Sequence, residues 1–268
     1  MRRSDMLQGR NAVVFGGGGS IGAAAAGELA AEGAEVFLAG RSPATVELAA
    51  KQITAAGGRA HADVVDALDA VAVDGYLETV VRRAGSIDIE LNASGPRIGE
   101  YGHGKSVVDL TVDEFMTPVD TVLRSQFTTA QAAARRMLTQ GSGVIIFLTA
   151  VPARAPLPGS SGIGAAYGAV ETVMRTMAAE LGPAGVRAVC LRTTGNPDTR
   201  SIRDAADLRA ELMGITPEHA MALLADATML KVLPHTADTA RAAAFLASDR
   251  ASMMTGTVLN LSAGAVTD

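Results

Sequence analysis

Short, unbroken apolar runs alternate along the chain with longer segments that repeat apolar residues at helical spacing. An apolar run without polar alternation is typical of a strand that is buried on both faces, as in a parallel sheet covered by helices. We predict strands near 12–15, 35–39, 60–62, 87–91, 144–148, 186–191 and 257–261. Helices are predicted over about 22–32, 43–55, 112–138, 162–181 and 237–247, with a further helical stretch ending at 84. This order predicts an α/β fold, a doubly wound parallel sheet of about seven strands with helices on both faces.

The segment 196–233 breaks this alternation. It keeps helical periodicity, has no predicted strand, and includes Pro197, Gly214 and Pro217. No linker or change of composition divides the chain, so we predict a single domain over residues 1–268, with this segment as an inserted lid of two short helices. Its apolar side chains either contact an apolar ligand or belong to the core: Met213, Met221, Leu223, Leu224, Met229 and Leu230.

Composition excludes several classes of partner. The 268 residues carry a net charge of −5, whereas a nucleic-acid-binding protein would carry a basic surface. The single cysteine, Cys190, rules out a disulfide framework, and the histidines show no metal-ligand spacing, so no metal site is predicted. An apolar stretch follows Met1-Arg2-Arg3, but glycines 16–19 interrupt it, and no run approaches the roughly 18 residues of a membrane span. We therefore expect a cytoplasmic protein with no nucleic-acid or membrane partner.

A glycine-rich loop lies between the first predicted strand and the first predicted helix. Gly17, Gly19 and Gly22 have the G-x-G-x-x-G spacing, in which glycines allow a tight turn and a close approach to a pyrophosphate. The N-terminus of the following helix would offer free N–H groups and a favourable dipole to the same anion. This context favours a Rossmann-type nucleotide site over a glycine-rich connector without a ligand.

The end of the second strand indicates which nucleotide is bound. NAD-binding folds place an acidic residue there, which accepts a hydrogen bond from the ribose 2′-hydroxyl. Here that position is Gly40, and Arg41 and Ser42 follow. Arginine favours a 2′-phosphate, so we predict NADP as the cofactor in preference to NAD. The alternative is that Arg41 is only a solvated loop residue.

Separate motifs between about residues 9 and 264 resemble those of the short-chain dehydrogenases/reductases (SDRs). The glycine loop is similar to the family's T-G-x-x-x-G-x-G motif, with Phe15 and Ser20 in place of the threonine and the middle glycine. Residues 61–64 resemble the family's adenine-contacting segment, and residues 91–95 resemble its N-N-A-G motif. Residues 245–249 and 256–261 together resemble its C-terminal signature.

The resemblance implies a set of cofactor-binding residues and a small-molecule substrate. The cofactor-binding residues are Gly16, Gly18, Gly19, Ser20, Ile21, Gly22, Arg41, Ser42, Asp63, Val64, Asn92, Ala93, Ser94, Gly95, Thr194 and Thr199. It also implies a homodimer or homotetramer packed through the two long helices. Ala165, Ala169 and the alanines 132–134 are small enough to pack across such an interface, unless they face the sheet.

The family's catalytic residues are missing from the matching positions. SDRs use a serine after the fifth strand, a tyrosine and a lysine one turn apart on the next helix, and an asparagine on the preceding helix. These positions hold Ala150, Ile163, Tyr167 and Val122 here. A second alignment makes Tyr167 the catalytic tyrosine and puts Glu171 at the lysine position, where a carboxylate would raise the phenol pKa. Both alignments lack the cation.

Tyr167 is the candidate catalytic residue, because its phenol would project from the helix face that carries the family's catalytic groups. The alternative is that it packs in the core. Tyr101, His103 and Arg154 lie on loops that border the substrate mouth in the resembling fold, and we expect them to be solvated.

These observations predict a divergent NADP(H)-dependent SDR oxidoreductase. It would act on a small, apolar carbonyl, alcohol or enone compound without the usual acid–base set. The loss of every usual catalytic group beside a retained cofactor motif leaves two alternatives open. One is a non-redox enzyme on the same fold, such as a cyclase, isomerase or dehydratase, and the other is a non-catalytic NADP-binding protein.

Overall fold

Seven parallel strands form one sheet in the computed structural model, which describes residues 5–267. They are β1 (Asn11–Phe15), β2 (Glu35–Gly40), β3 (Arg59–Val64), β4 (Ile89–Asn92), β5 (Gly143–Ala150), β6 (Val186–Thr193) and β7 (Val258–Leu261). Their spatial order is β3-β2-β1-β4-β5-β6-β7, and every neighbouring pair is parallel. This confirms the predicted doubly wound sheet. Met1-Arg2-Arg3 and the two ends of the predicted domain lie outside the described residues.

Helices cover both faces of the sheet. They are α1 (Ser20–Ala31), α2 (Pro43–Ala55), α3 (Ala70–Ala84), α4 (Val112–Pro118), α5 (Arg124–Gln140), α6 (Ser161–Leu181), α7 (Arg200–Met213), α8 (Pro217–Asp226) and α9 (Thr236–Ala247). Helices α1, α2 and α9 pack over one apolar core, and α3, α5 and α6 over the other. Successive strand residues point to opposite faces, so Val13 and Phe37 belong to one core while Val14 and Leu38 belong to the other. Within residues 5–267, no helix has both the length and the apolar character that a membrane crossing requires.

Local sequence determines where several helices begin and end. Pro43 occupies the first turn of α2, where its missing N–H costs no hydrogen bond. The Asp69 carboxylate caps α3 by accepting the N–H groups of Val71 and Ala72 at 2.9 and 3.0 Å. Gly141 ends α5 with φ of +73°, a left-handed conformation that glycine adopts without strain.

Two elements differ from the predicted pattern. The helix predicted over 112–138 is broken, because α4 ends at Pro118 and a wider π-helical turn, Val119–Leu123, precedes α5. Pro118 has no N–H, so it cannot donate the usual hydrogen bond within the helix. Strand β4 begins later than predicted, because the Gln140 side chain bonds both the N–H and the C=O of Ile87 at 2.9 Å each.

The alanines 132–134 of α5 are buried within the core of a single chain. Of the two alternatives that the sequence left open for them, packing inside the chain therefore holds, and they are not available to a dimer interface. Ala165 on α6 is exposed.

The segment 196–233 contains α7 and α8 and no strand. The two helices pack on each other through three buried alanines: Ala206, Ala210 and Ala220. The Asp198 carboxylate accepts hydrogen bonds from the N–H and the hydroxyl of Thr236 at 3.1 and 2.6 Å, which ties the segment to the start of α9. Helix α7 also contacts the turn Ile98–Glu100, which follows β4. The segment therefore lies over the carboxyl edge of the sheet.

Candidate active site

A cleft of about 1220 Å³ opens at the carboxyl edge of the sheet. It extends from the loop after β1, past the turn after β4 and the start of α6, to α7. Ligands of doubly wound sheets bind where the strand order reverses, and in this sheet that point lies between β1 and β4.

The glycine loop forms the first wall of the cleft. Gly16 has φ of +71°, and a Cβ on Gly22 would lie 2.2 Å from the carbonyl oxygen of Gly16, so this turn requires glycine at both positions. Four of the predicted residues line the cleft: Gly18, Gly19, Ser20 and Ile21. Helix α1 begins there with no side-chain cap and no acidic residue in its first turn, which leaves its N–H groups and dipole open to an anion. The loop therefore fits the pyrophosphate of a nicotinamide dinucleotide.

Four other predicted residues lie outside the cleft, exposed at the carboxyl ends of β2 and β3: Arg41, Ser42, Asp63 and Val64. The glycine loop lies beside them, because the N–H of Gly17 donates to the C=O of Ala39 at 3.0 Å. Gly40 has little room for a side chain, since a Cβ there would lie 2.9 Å from Cγ1 of Val46. This edge therefore presents an arginine to a ligand and no carboxylate at the position that NAD-binding folds use.

The turn after β4 forms the floor of the cleft. The side-chain amide of the buried Asn92 donates to Oγ1 of Thr129 at 3.0 Å, and its oxygen accepts the N–H of Ser94 at 2.8 Å. Asn92 thereby holds the turn, and residues 93–95 line the cleft with it. Glu90 lies beneath them, and burial raises the pKa of its carboxyl to about 8. A hydrogen bond from Thr129 lowers this pKa by a smaller amount.

The turn after β6 forms a further wall of the cleft, with Thr194 and Thr199 in its lining. The Thr199 hydroxyl donates to the C=O of Asn196 at 2.7 Å and accepts the N–H of Ile202 at 3.4 Å, so it caps α7. Oδ1 of Asn196 is buried without a hydrogen-bond partner among residues 5–267. Asn196 does not line the cleft, and its side-chain amide donates to the C=O of Pro234 at 2.8 Å, which holds this turn in place.

Apolar side chains occupy the middle of the cleft. Ala150 and Ile163 line it, and Val122 lies beneath Gly95, 1% exposed. None of these three side chains can donate a proton or a hydrogen bond. Tyr167 follows Ile163 by one turn of α6, lines the cleft and is half-buried. Burial raises the pKa of Tyr167 to about 12, and Cys190 adds a smaller contribution.

A buried ion pair connects α6 to the sheet next to Tyr167. Nε and Nη2 of Arg192 donate to the two carboxylate oxygens of Glu171, at 2.8 Å each. Oγ1 of Thr149 donates to the same carboxylate at 3.1 Å and lies 3.2 Å from Sγ of Cys190. Glu171 therefore does not act on Tyr167 as the second alignment predicted, since Arg192 neutralises it and burial is the main cause that raises the phenol pKa.

Known proteins are similar to this chain in sequence and in fold, some of them over nearly its whole length. Residues 17–266 match the family model described as enoyl-(acyl carrier protein) reductase. An uncharacterized oxidoreductase of Methylorubrum extorquens is 32% identical over 96% of this chain and 98% of the relative. Short-chain reductase protein NovJ of Streptomyces niveus is 35% identical over 65% of this chain and 64% of that protein. The crystal structure of NAD⁺-bound xylitol dehydrogenase superposes with a TM-score of 0.89 at 25% identity, over 97% of this chain and 99% of that chain.

The chain belongs to the short-chain dehydrogenase/reductase family of oxidoreductases. In this SDR, the loops and helices beyond the glycine loop enclose the rest of the cleft.

The helices of segment 196–233 give the SDR an apolar wall at one end of the cleft. Six apolar side chains of this segment line it: Ile202, Ala205, Leu208, Leu212, Met213 and Leu224. The sequence left open whether the apolar residues of this segment contact a ligand or pack in the core. Met221 packs against the core between α7 and α8, whereas Met229 and Leu230 are exposed.

The loop after β4 contributes a residue that the sequence placed in solvent. Tyr101 is only 6% exposed, belongs to the core and lines the cleft, so the expectation of a solvated residue is wrong for it. His103 is half-buried in the same lining, and Arg154 is exposed outside it. The long-range hydrogen bond from the N–H of Gly104 to the C=O of Gly159, at 2.9 Å, folds this loop over the cleft. No motif in the sequence signals that contact.

Sequence reasoning also missed the polar lining of the cleft. The side chain of Gln126 on α5 makes two hydrogen bonds to the backbone of Leu148 on β5. It donates to the C=O of Leu148 at 2.8 Å and accepts the N–H of Leu148 at 3.0 Å. Four cationic side chains line the cleft: Arg97, Lys105, Arg200 and Arg209. Among residues 5–267, the lining contains no aspartate or glutamate. The cleft is therefore electropositive within a chain of net charge −5.

Proposed function

We propose that this SDR is an NADP(H)-dependent reductase of small, apolar carbonyl or enone compounds that works without the serine, tyrosine and lysine usual in the family. The supporting observation is the single cleft that joins the uncapped N-terminus of α1 to the apolar wall of α7. One end suits a nucleotide pyrophosphate, and the other suits an apolar substrate.

The residues at the middle of the cleft determine which chemistry is compatible with this proposal. When bound, the nicotinamide supplies the hydride, and the protein's part is to orient and shield the reacting atoms. Ala150 and Ile163 exclude water there, and Tyr167 offers a hydroxyl to the cofactor ribose or to the substrate. The match to an enoyl reductase model favours a conjugated double bond, because the enolate formed from it is a weaker base than an alkoxide and needs less help from an acid.

Two assays on the purified protein test this function. A fluorescence titration measures whether NADPH binds, and absorbance measures whether apolar ketones and enones cause its consumption. Product formation without loss of NADPH would favour the non-redox alternative. Binding of NADPH with no turnover of any compound would favour the non-catalytic alternative.

Replacing Arg41 with alanine is expected to weaken NADPH binding by about 10-fold or more, the value of a charge-assisted hydrogen bond to a phosphate. NADH has no 2′-phosphate, so its affinity should change little. The fluorescence titration with both nucleotides measures the two dissociation constants. Arg82→Ala, at an exposed arginine on α3, is the matched control and should change neither. Equal losses for NADPH and NADH would contradict the assignment of Arg41 to the 2′-phosphate.

The preference for NADP is proposed from Gly40 and Arg41 alone, and the structural relative described above contains NAD⁺. A homodimer or homotetramer also remains part of the proposal. Since the alanines of α5 face the sheet, its support is now the exposed apolar side chains of α4 and α5: Val112, Met116, Phe127 and Leu138. The cytoplasmic location remains an expectation from the sequence.

A further inference from the structure

Tyr101 is a buried phenol that no motif of the family assigns to the reaction. It lies on the loop after β4 and lines the cleft. It packs in the same apolar core as Ile163 and Val122, the residues at the positions where the family's tyrosine and asparagine are expected. Because Tyr101 and Ile163 line the same cleft, the Tyr101 phenol is available to a substrate near the positions where Ile163 and Val122 offer no polar group.

Contacts on two sides hold the loop that carries Tyr101. The N–H of Gly104 donates to the C=O of Gly159 at 2.9 Å. Gly104 also lies against α7, where an added Cβ would be 3.1 Å from Leu212 and 3.4 Å from Leu208. Because the loop is packed between the segment before α6 and α7, Tyr101 is oriented before a substrate arrives.

His103 packs edge-on against Tyr101, with 5.7 Å between ring centroids and 67° between ring planes. It lines the cleft, and its Nδ1 is buried without a hydrogen-bond partner among residues 5–267. Buried polar atoms are nearly always paired, so a bound molecule is the natural partner of this nitrogen. Burial and the charge of Arg209 lower the pKa of His103, which keeps the imidazole neutral near neutral pH.

We propose that Tyr101 is the proton donor of this reaction and that His103 positions the Tyr101 phenol beside the substrate. The inference rests on the proposed function, since it needs a reduction. In the reduction of a ketone, the carbonyl carbon gains a C–H bond from the hydride and NADPH becomes NADP⁺. The electron pair of the C=O bond moves to oxygen, which takes the proton as the O–H bond of Tyr101 breaks. Water then returns a proton to the phenolate.

The surroundings of Tyr101 keep its phenol protonated. Burial raises the pKa of Tyr101, and the neighbouring Tyr167 raises it further. Lys105 lies on the same loop and lines the cleft, but its Nζ donates to the Glu114 carboxylate. The phenol therefore stays protonated at neutral pH, as reduction requires. Oxidation of an alcohol, the reverse reaction, would require the phenolate.

The three tyrosines of the chain provide the test and its control. Tyr101→Phe, Tyr167→Phe and Tyr76→Phe are compared with the wild type in NADPH-dependent reduction of acetophenone and benzylideneacetone. We expect Tyr101→Phe to lower kcat for acetophenone by about 100-fold or more with unchanged NADPH affinity, and to lower it less for benzylideneacetone, whose enolate needs less help from an acid. Tyr167→Phe should cost less than about 10-fold in kcat. Tyr76 is buried among the core residues of α3 and lies outside the cleft lining, so Tyr76→Phe should leave kcat unchanged.

A second variant tests the role of His103. His103→Ala should lower kcat more than it changes KM, and added imidazole should restore part of the loss in His103→Ala but none in Tyr101→Phe. If Tyr101→Phe keeps kcat within about 10-fold of the wild type, Tyr101 is not the donor, although the proposed function stands. If the wild type binds NADPH but reduces neither compound, the proposed function fails and this inference fails with it.

Discussion

Replacing Glu90 with glutamine is expected to stabilise this SDR increasingly as the pH rises. Glu90 on β4 is enclosed, its Oε1 has no hydrogen-bond partner among the described residues, and burial raises its pKa from 4.5 to about 8. Between these two values, the folded state keeps a proton that the unfolded state has released. The unfolded state then binds fewer protons, so the free energy of unfolding falls as the pH rises. At about 1.4 kcal/mol per pKa unit, the loss reaches about 5 kcal/mol near pH 8.

Glutamine has the shape of glutamate but does not titrate, so the variant should lack this pH dependence. Urea unfolding of both proteins at about pH 5 and about pH 8 measures the free energies. The difference between them should grow by about 3–5 kcal/mol in favour of Glu90→Gln at the higher pH. Glu78→Gln, at an exposed position of α3, is the control and should show no such growth. A difference that is equal at both pH values would mean that Glu90 is already ionised in the folded protein.

The fold could be predicted from the sequence because strands buried on both faces have an unambiguous pattern. The runs around Val13 and Ile146 contain no polar alternation, and such runs fit only a covered parallel sheet. The beginning of β4 was misplaced because Gln140, which is distant in sequence, takes the hydrogen bonds of Ile87. The break before α5 was missed although Pro118 was visible, since helical periodicity continues through the π-helical turn.

The glycine-loop wall of the cleft could be predicted further than the loop that carries Tyr101. A glycine loop between a strand and a helix is a local feature, and the structure brings Gly18, Gly19, Ser20 and Ile21 into the cleft as expected. The position of Tyr101 depends instead on how its loop packs against α7 and residue 159. Such contacts join segments far apart in the chain, and a loop sequence carries no periodic signal that reports them.

Two acidic residues next to the cleft could not be interpreted from sequence for the same reason. Glu90 lies in an apolar strand, and Glu171 lies on a helix face that the family gives to a cation. The structure shows that Glu90 is enclosed without an ion pair among residues 5–267 and that Glu171 is matched by Arg192 on β6. The two residues should therefore affect the free energy of unfolding differently. Removing the partner of a paired buried charge such as Glu171 leaves that charge uncompensated and destabilises the folded state.

Replacing Arg192 with methionine is therefore expected to lower the free energy of unfolding by about 3–5 kcal/mol, measured by denaturant unfolding. The Glu171 carboxylate would lose two charged hydrogen bonds of 2.8 Å and keep that of Thr149. The double variant Arg192→Met with Glu171→Met should recover most of this loss, because an apolar pair of similar volume needs no charge compensation. Arg175→Met, on the exposed face of α6, is the control and should change stability by less than about 0.5 kcal/mol. A double variant as unstable as the single one would show that the loss comes from the packing of the Arg192 side chain and not from an uncompensated carboxylate.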